Sequence, residues 1–218
     1  MSASPTHRTR YRDRVEAGRA VLAALLRADA DLREADVLVV GLARGGVPVA
    51  AEVAGGLGAG LDVAVVRKLG APGREELALG AITRDRMVLN DALVRSLGIS
   101  RDTLDAVVET ERRELLRREE AYRAGRPPVP MRGRVVILVD DGIATGATMR
   151  AVALDARERG AARTIIAVPT APASAPREFA DVADEFVCPH LPDSFVAVGL
   201  SYEEFDQTSD EQVRTLLR

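Results

Sequence analysis

Two adjacent aspartates, Asp140 and Asp141, close an apolar run and open a loop of small residues: positions 135–149 read VVILVDDGIATGATM. A carboxylate at the end of a buried strand is expensive unless something compensates it, so a pair of them calls for a chemical role. Gly142, Ala144, Gly146 and Ala147 follow, with hydroxyls on Thr145 and Thr148. Small side chains let successive backbone N–H groups converge on one point, and the helix that comes next directs the positive end of its dipole there. Together these make an anion cradle suited to a phosphate monoester. The two carboxylates would repel a bare phosphate. They fit instead as acceptors for a sugar's vicinal hydroxyls, or as stabilisers of nearby positive charge. The segment has no lysine where a Walker A loop carries one. A purely structural strand-to-helix turn could use the same small residues but would have no use for the acids.

Two further places carry candidate chemistry. Residues 41–46, GLARGG, set Arg44 beside Gly45 and Gly46 just after an apolar run. On its own this is a common strand–Gly-Gly–helix turn. Lys68 is the only lysine in a Lys+Arg total of 30. A bias toward arginine explains the arginines but not the one position that stayed lysine. A site that needs a compact, flexible ammonium rather than a planar fork would resist replacement. His7 and His190 read as structural or exposed.

The elements that must position these residues alternate along the chain. Apolar spacing gives a helix within 9–28, with Val15, Val21, Leu22, Leu25 and Leu26 on one face and arginines on the other. Strands are expected at 37–41, 61–66, 134–139, 164–169 and 185–188, and helices at 147–159 and 173–182. Continuous apolar strands separated by helical segments argue for a mainly parallel sheet flanked by helices, an α/β fold. Residues 67–80 read as a polar, Gly- and Pro-bearing loop, and 78–90 as a small hairpin about Thr83–Arg86. A long helix starts at Ser100, a residue type suited to the N-cap, and stops at Gly125. Its charges pair at i,i+4, Glu109 with Arg113 and Glu114 with Arg118, so ERRELLRR reads as a solvated face rather than a basic patch.

The motif at 135–149 resembles the signature for phosphoribosyl pyrophosphate (PRPP) in type I phosphoribosyltransferases. Carried over by position, the resemblance implies that Asp140 and Asp141 hold the ribose 2- and 3-hydroxyls. Ala144, Thr145, Gly146, Ala147 and Thr148 would wrap the 5-phosphate. GLARGG resembles the pyrophosphate loop of that family: Arg44 would clasp pyrophosphate, Gly45 and Gly46 would let backbone N–H groups approach it, and a cis peptide would fall at Ala43–Arg44. The 67–80 segment occupies the place of the mobile catalytic loop, with Lys68 as the cation for the pyrophosphate. FVAVGLSYEEF resembles the hood of the purine enzymes, which implies Phe195 stacking on an acceptor base with Val196 beside it. The hood aspartate that meets metal in the 6-oxopurine enzymes appears as Ser201, so no direct protein ligand to metal is implied; Mg²⁺ would arrive carried by PRPP. Those enzymes also have an acid where this chain has Ala144, which disfavours 6-oxopurine acceptors. The resemblance runs from 36 to 206, with the helix at 100–125 as an insertion.

One domain is therefore expected over 1–218, with a core at about 36–188, a hood at about 189–206 and a helical insertion at about 100–125. The expected activity is transfer of the 5-phosphoribosyl group of PRPP to a nitrogen acceptor such as a nucleobase, with release of pyrophosphate. A PRPP- or nucleotide-sensing regulator and a hydrolase or phosphorylase of phosphoribosyl compounds are the alternatives. A net charge of -3 without a basic face gives no support for a nucleic-acid partner. No apolar run reaches the roughly 18 residues of a membrane span. One cysteine, Cys188, and an N-terminus without a signal-peptide core point to a cytoplasmic protein. The family resemblance implies a homodimer.

Overall fold

A computed structural model describes residues 10–218; His7 lies outside the described residues. Helix α1 (Arg14–Ala28) is capped by Asp13, whose side chain accepts from the Glu16 N–H, and buries Ala17, Gly18, Val21 and Leu25. Strand β1 (Val37–Leu42) is buried at all six positions. It feeds α2 (Gly46–Leu57) and then β2 (Gly60–Ala64).

The next segment departs from expectation. Residues 67–80, read from sequence as a loop, form β3 (Arg67–Ala71) and most of β4 (Arg74–Ile82), which continues into β5 (Met87–Leu89) as an antiparallel sheet. Leu69, Ala71, Leu79 and Ala81 alternate inward and are buried. Half of that alternation is carried by alanine, and glycine and proline interrupt it, so its strand propensity is low and the tertiary packing decides. The expected turn is present, with Thr83 N donating to Arg86 O at 2.8 Å. A short helix α3 (Asp91–Ser96), not anticipated, is capped by Asn90.

Helix α4 (Arg101–Arg123), the long helix expected from Ser100, is capped by Ser100 and ended by Ala124 in a left-handed conformation just before Gly125. Glu109–Arg113 and Glu114–Arg118 pair at 3.4 and 2.7 Å. Its other face is anchored. Arg123 donates to Asp62 at 2.8 Å and to Val63 O at 2.6 Å, while Arg84 of the β4–β5 turn reaches Glu119 at 2.7 Å. Leu115 and Tyr122 join Val63, Leu69, Leu79 and Ile82 in one apolar cluster. Helix α4 therefore roofs the hairpin.

The chain then returns to the main sheet as β6 (Val135–Val139), α5 (Ala147–Glu158), β7 (Arg163–Ala167), α6 (Ala175–Glu178) and β8 (Glu185–Val187). Only four residues of the helix expected at 173–182 are α-helical. Helix α7 (Asp210–Leu216), also unanticipated, opens with a capping box between Ser209 and Gln212. The five-stranded sheet is parallel throughout, in the order β2-β1-β6-β7-β8, with separate apolar clusters on its two faces. From β1 the chain steps outward to β2; from its neighbour β6 it steps outward the other way. Ligands of open α/β sheets sit in the crevice at the carboxyl ends of such a strand pair.

Candidate functional site

Three stretches meet at that crevice. The first is the acid pair just past β6. Asp140 Oδ1 accepts the Asp141 backbone N–H at 2.9 Å. Burial drives the Asp140 carboxyl well above its ordinary range, and the adjacent Asp141 charge adds to that. Burial also raises Asp141, against the opposing pull of Arg14. Arg14, at the start of α1, donates from both Nε and Nη2 to Asp141 Oδ2, at 2.9 and 2.8 Å. Its Nη1 donates to Asp206 O at 2.6 Å, and its guanidinium lies 4.2 Å from the centre of the Phe205 ring. Tyr202 adds a hydroxyl that donates to Asp141 O at 2.6 Å.

The second stretch is the start of α2, preceded by a cis peptide at Ala43–Arg44. A Cβ on Gly45 would lie 2.6 Å from Asp141 Cγ, and one on Gly46 would lie 2.7 Å from Asp140 Cα. Both glycines are thus dictated by the approach of α2 to the acids. Arg44 Nη1 pairs with Asp210 Oδ1 at 3.4 Å, and Tyr122 OH donates to the same oxygen at 2.8 Å. Burial and the Asp210 hydrogen bond push the Tyr122 phenol up to about 12.

The third stretch is the loop from Gly142 to the N-terminus of α5. Ile143 N donates to Thr170 O at 3.0 Å, which pins the loop to the chain beyond β7. Gly146 turns it into the helix with φ 73°, a left-handed conformation that suits glycine. Among the described residues, the N–H groups of 144–149 donate to no backbone acceptor, and Ala144, Thr145 and Ala147 are exposed. Unpaired donors at a helix start are the ordinary requirement for holding an anion.

Of the residues singled out from sequence, Asp141, Arg44 and Gly45 line one cavity of about 390 Å³ with Arg14, Phe205, Gln207 and Thr208. Lys68 lies elsewhere. It lines a groove of about 670 Å³ between the β3–β4 hairpin and α4, beside Arg67, which pairs with Glu111 at 2.6 Å. Phe195 and Val196 line a third hollow, of about 210 Å³, with His190 and Leu200, and Val196 is 78% exposed. Ser201 is buried and hydrogen-bonded to Thr170 Oγ1 at 3.0 Å. Arg14, Phe205, Tyr202 and Asp210 were missed. Arg14 read only as one of the arginines on the far face of the first helix, and its contact with Asp141 spans 127 positions of sequence, so no local pattern announces it.

A parallel sheet with paired carboxylates and two helix N-termini at its carboxyl edge defines a class of α/β ligand-binding domains. The comparison with known families is more specific: the phosphoribosyl transferase domain matches residues 9–204, and the chain belongs to that family. "Putative phosphoribosyl transferase Rv0571c" of Mycobacterium tuberculosis is 48% identical over 208 residues, which is 95% of this chain and 46% of that protein. The chain thus spans about half the length of the curated relatives it matches. Among solved structures, TT1426 from Thermus thermophilus is 40% identical with a TM-score of 0.79, covering 95% of this chain and 97% of that one. A Neisseria gonorrhoeae protein solved with bound ppGpp shares the fold at 10% identity and a TM-score of 0.50, over 95% and 94% of the two chains. No helix among the described residues is long and apolar enough to cross a membrane.

Proposed function

We propose that the protein transfers the 5-phosphoribosyl group of PRPP to a nitrogen nucleophile and releases pyrophosphate. The observation that carries this reading is the placement of two largely, not fully, buried carboxylates between two helix N-termini at one sheet edge. A ligand with anionic ends and a hydroxylated, transiently cationic middle matches that alternation of charge. The 5-phosphate would sit on the N–H groups of 144–148, with the hydroxyls of Thr145 and Thr148 as further donors. Asp140 and Asp141 would accept from the ribose 2- and 3-hydroxyls and stabilise positive charge as the ribosyl transition state becomes oxocarbenium-like. Arg44 and the N–H groups at Gly45 and Gly46 would take the departing pyrophosphate. Lys68 would join them on closure of the β3–β4 hairpin, which would also exclude water.

Among the described residues no three metal-ligating side chains gather. The cavity is bordered by one carboxylate, Asp141, and by the cations Arg14 and Arg44, a lining that suits a divalent ion only if it arrives already held by an anionic ligand such as PRPP. Mg²⁺ carried in that way would supply neutralisation of leaving-group charge. Phe195 and Val196 would hold the acceptor base. Ala144 leaves the loop without an acid to accept from a purine N7, so adenine-like or unusual amine acceptors fit better than 6-oxopurines.

The test is pyrophosphate release from PRPP with Mg²⁺ across a panel of nucleobases and amines, with the phosphoribosylated product identified by mass spectrometry. Acceptor-dependent release supports the transferase. Tight PRPP binding without turnover would favour a sensor, and release without an acceptor would favour a hydrolase.

A further inference from the structure

Arg14 belongs to no motif, yet it is the most heavily braced cation at the crevice. Both Nε and Nη2 meet a single oxygen of Asp141, Oδ2, at 2.9 and 2.8 Å. Nη1 is tied to Asp206 O, the Phe205 ring covers the guanidinium face at 4.2 Å, and Tyr202 lies on the same side at 5.9 Å. Side-chain exposure at the pair is 12% for Arg14 and 15% for Asp141. Contacts with Asp206 and Phe205 on one side and Asp141 on the other brace the guanidinium. Because it engages Oδ2 alone, it leaves Asp141 Oδ1 as an acceptor.

We infer that Arg14 is a positioning residue, which holds Asp141 as an oriented carboxylate so that its second oxygen can accept a ribose hydroxyl. The inference rests on the ribose role proposed above for the acid pair. The charge argument points the same way. The groups facing Asp141 are Asp140, Arg14 from α1, Arg44 at the start of α2, and Tyr202 from the hood. Asp140 and burial both favour a protonated pair, and Tyr202 contributes only a neutral hydroxyl. Arg44 is engaged with Asp210. Arg14 is therefore the cation that opposes protonation of Asp141, against the upward pull of burial.

The test compares wild type, Arg14→Gln and Arg14→Lys by two readouts. In ligand-free protein, ¹³C carboxyl NMR follows the titration of Asp141. In Arg14→Gln the midpoint should move to higher pH by at least one unit, and Arg14→Lys should recover part of that shift. Calorimetric titration with PRPP from pH 5.5 to 8.5 should then show affinity in Arg14→Gln falling by about tenfold per pH unit below the new midpoint. The ratio of wild-type to Arg14→Gln affinity, in which the titration of the PRPP phosphates cancels, should therefore widen as pH falls. An unmoved Asp141 titration in folded Arg14→Gln would overturn the inference, as would PRPP affinities that fall equally at every pH. Thermal melts establish folding, and if Arg14→Gln does not fold, the same two readouts on Arg14→Lys decide: a smaller shift in the same direction supports, none overturns. If wild type binds no PRPP, the proposed function fails, while the ligand-free titration still decides whether Arg14 sets the charge of Asp141.

Discussion

Asp210 Oδ1 is shared by Arg44, at 3.4 Å, and by the hydroxyl of Tyr122, at 2.8 Å. One carboxylate on α7 thereby links the loop before α2 to the roofing helix α4. Asp210 is half-exposed, so its pairing with Arg44 is worth little, while the hydrogen bond from the buried Tyr122 carries more.

Asp210→Asn should therefore cost about 1 kcal/mol of stability, since Tyr122 keeps an acceptor but loses charge assistance. It should leave PRPP affinity unchanged or strengthen it a few-fold by releasing Arg44. Thermal melts and calorimetry read the two effects. A tenfold loss of PRPP affinity would mean that Asp210 holds Arg44 ready rather than holding it back.

For Asp140 the expected signature is stability traded against function. Burial and Asp141 raise its folded carboxyl above the unfolded value. For an acid shifted upward, the stabilisation is present below the unfolded pKa, near 4, and is lost as pH rises through the folded value. Asp140→Asn removes that loss, so its melting temperature should climb relative to wild type from pH 5 to pH 8. PRPP affinity should fall at the same time, because an amide lacks the charge that assists a hydroxyl hydrogen bond. Parallel melting curves at all pH values would show that Asp140 does not ionise in this range.

Gly146→Ala tests the cradle. The residue sits at φ 73°, and an added Cβ would lie 2.6 Å from Phe179 Cζ. Strain of this kind costs on the order of 1–3 kcal/mol. Affinity for ribose 5-phosphate should drop at least tenfold while circular dichroism stays native. Wild-type affinity in the folded variant would place the phosphate elsewhere.

Lys68→Ala should lower turnover by about two to three decades while PRPP binding weakens far less, the mark of a contact made mainly in the transition state. Lys68→Arg keeps the charge but changes its shape and should recover activity only in part. Single-turnover assays beside calorimetry separate the two quantities. Equal losses in both would make Lys68 a ligand clamp; no loss in either would leave it in the hairpin groove without a part in the reaction.

The parallel strands were legible because a strand buried on both faces reads as an unbroken apolar run, as at 135–139. The acid pair and the small-residue loop were legible because they are contiguous. The β3–β4 pairing was hidden by alanine at half of its inward positions and by the glycines and proline that interrupt it, and α3 and α7 by their shortness. Arg14, Phe205 and Asp210 reach the crevice by tertiary contact alone: Arg14 lies 127 positions from Asp141, and Arg44 lies 166 from Asp210. A helix-face arginine looks the same in sequence whether it meets water or a buried carboxylate.

The pairing of β1 with β6, Val37 opposite Val135 through Gly41 opposite Val139, has a consequence for how the protein is made. The loop after β1 and the acids after β6 are brought together only when strands roughly a hundred residues apart in the chain close on each other, a step whose entropic cost rises with the logarithm of the intervening length. Hairpin, α3 and α4 are all synthesised inside that interval and can form local structure first, shortening the effective tether. On the proposed reading, a nascent chain that has not yet delivered β6 would have no place to bind phosphate and sugar together. A ligand that bridged both loops would therefore act as a staple across the sheet's longest-range strand pairing.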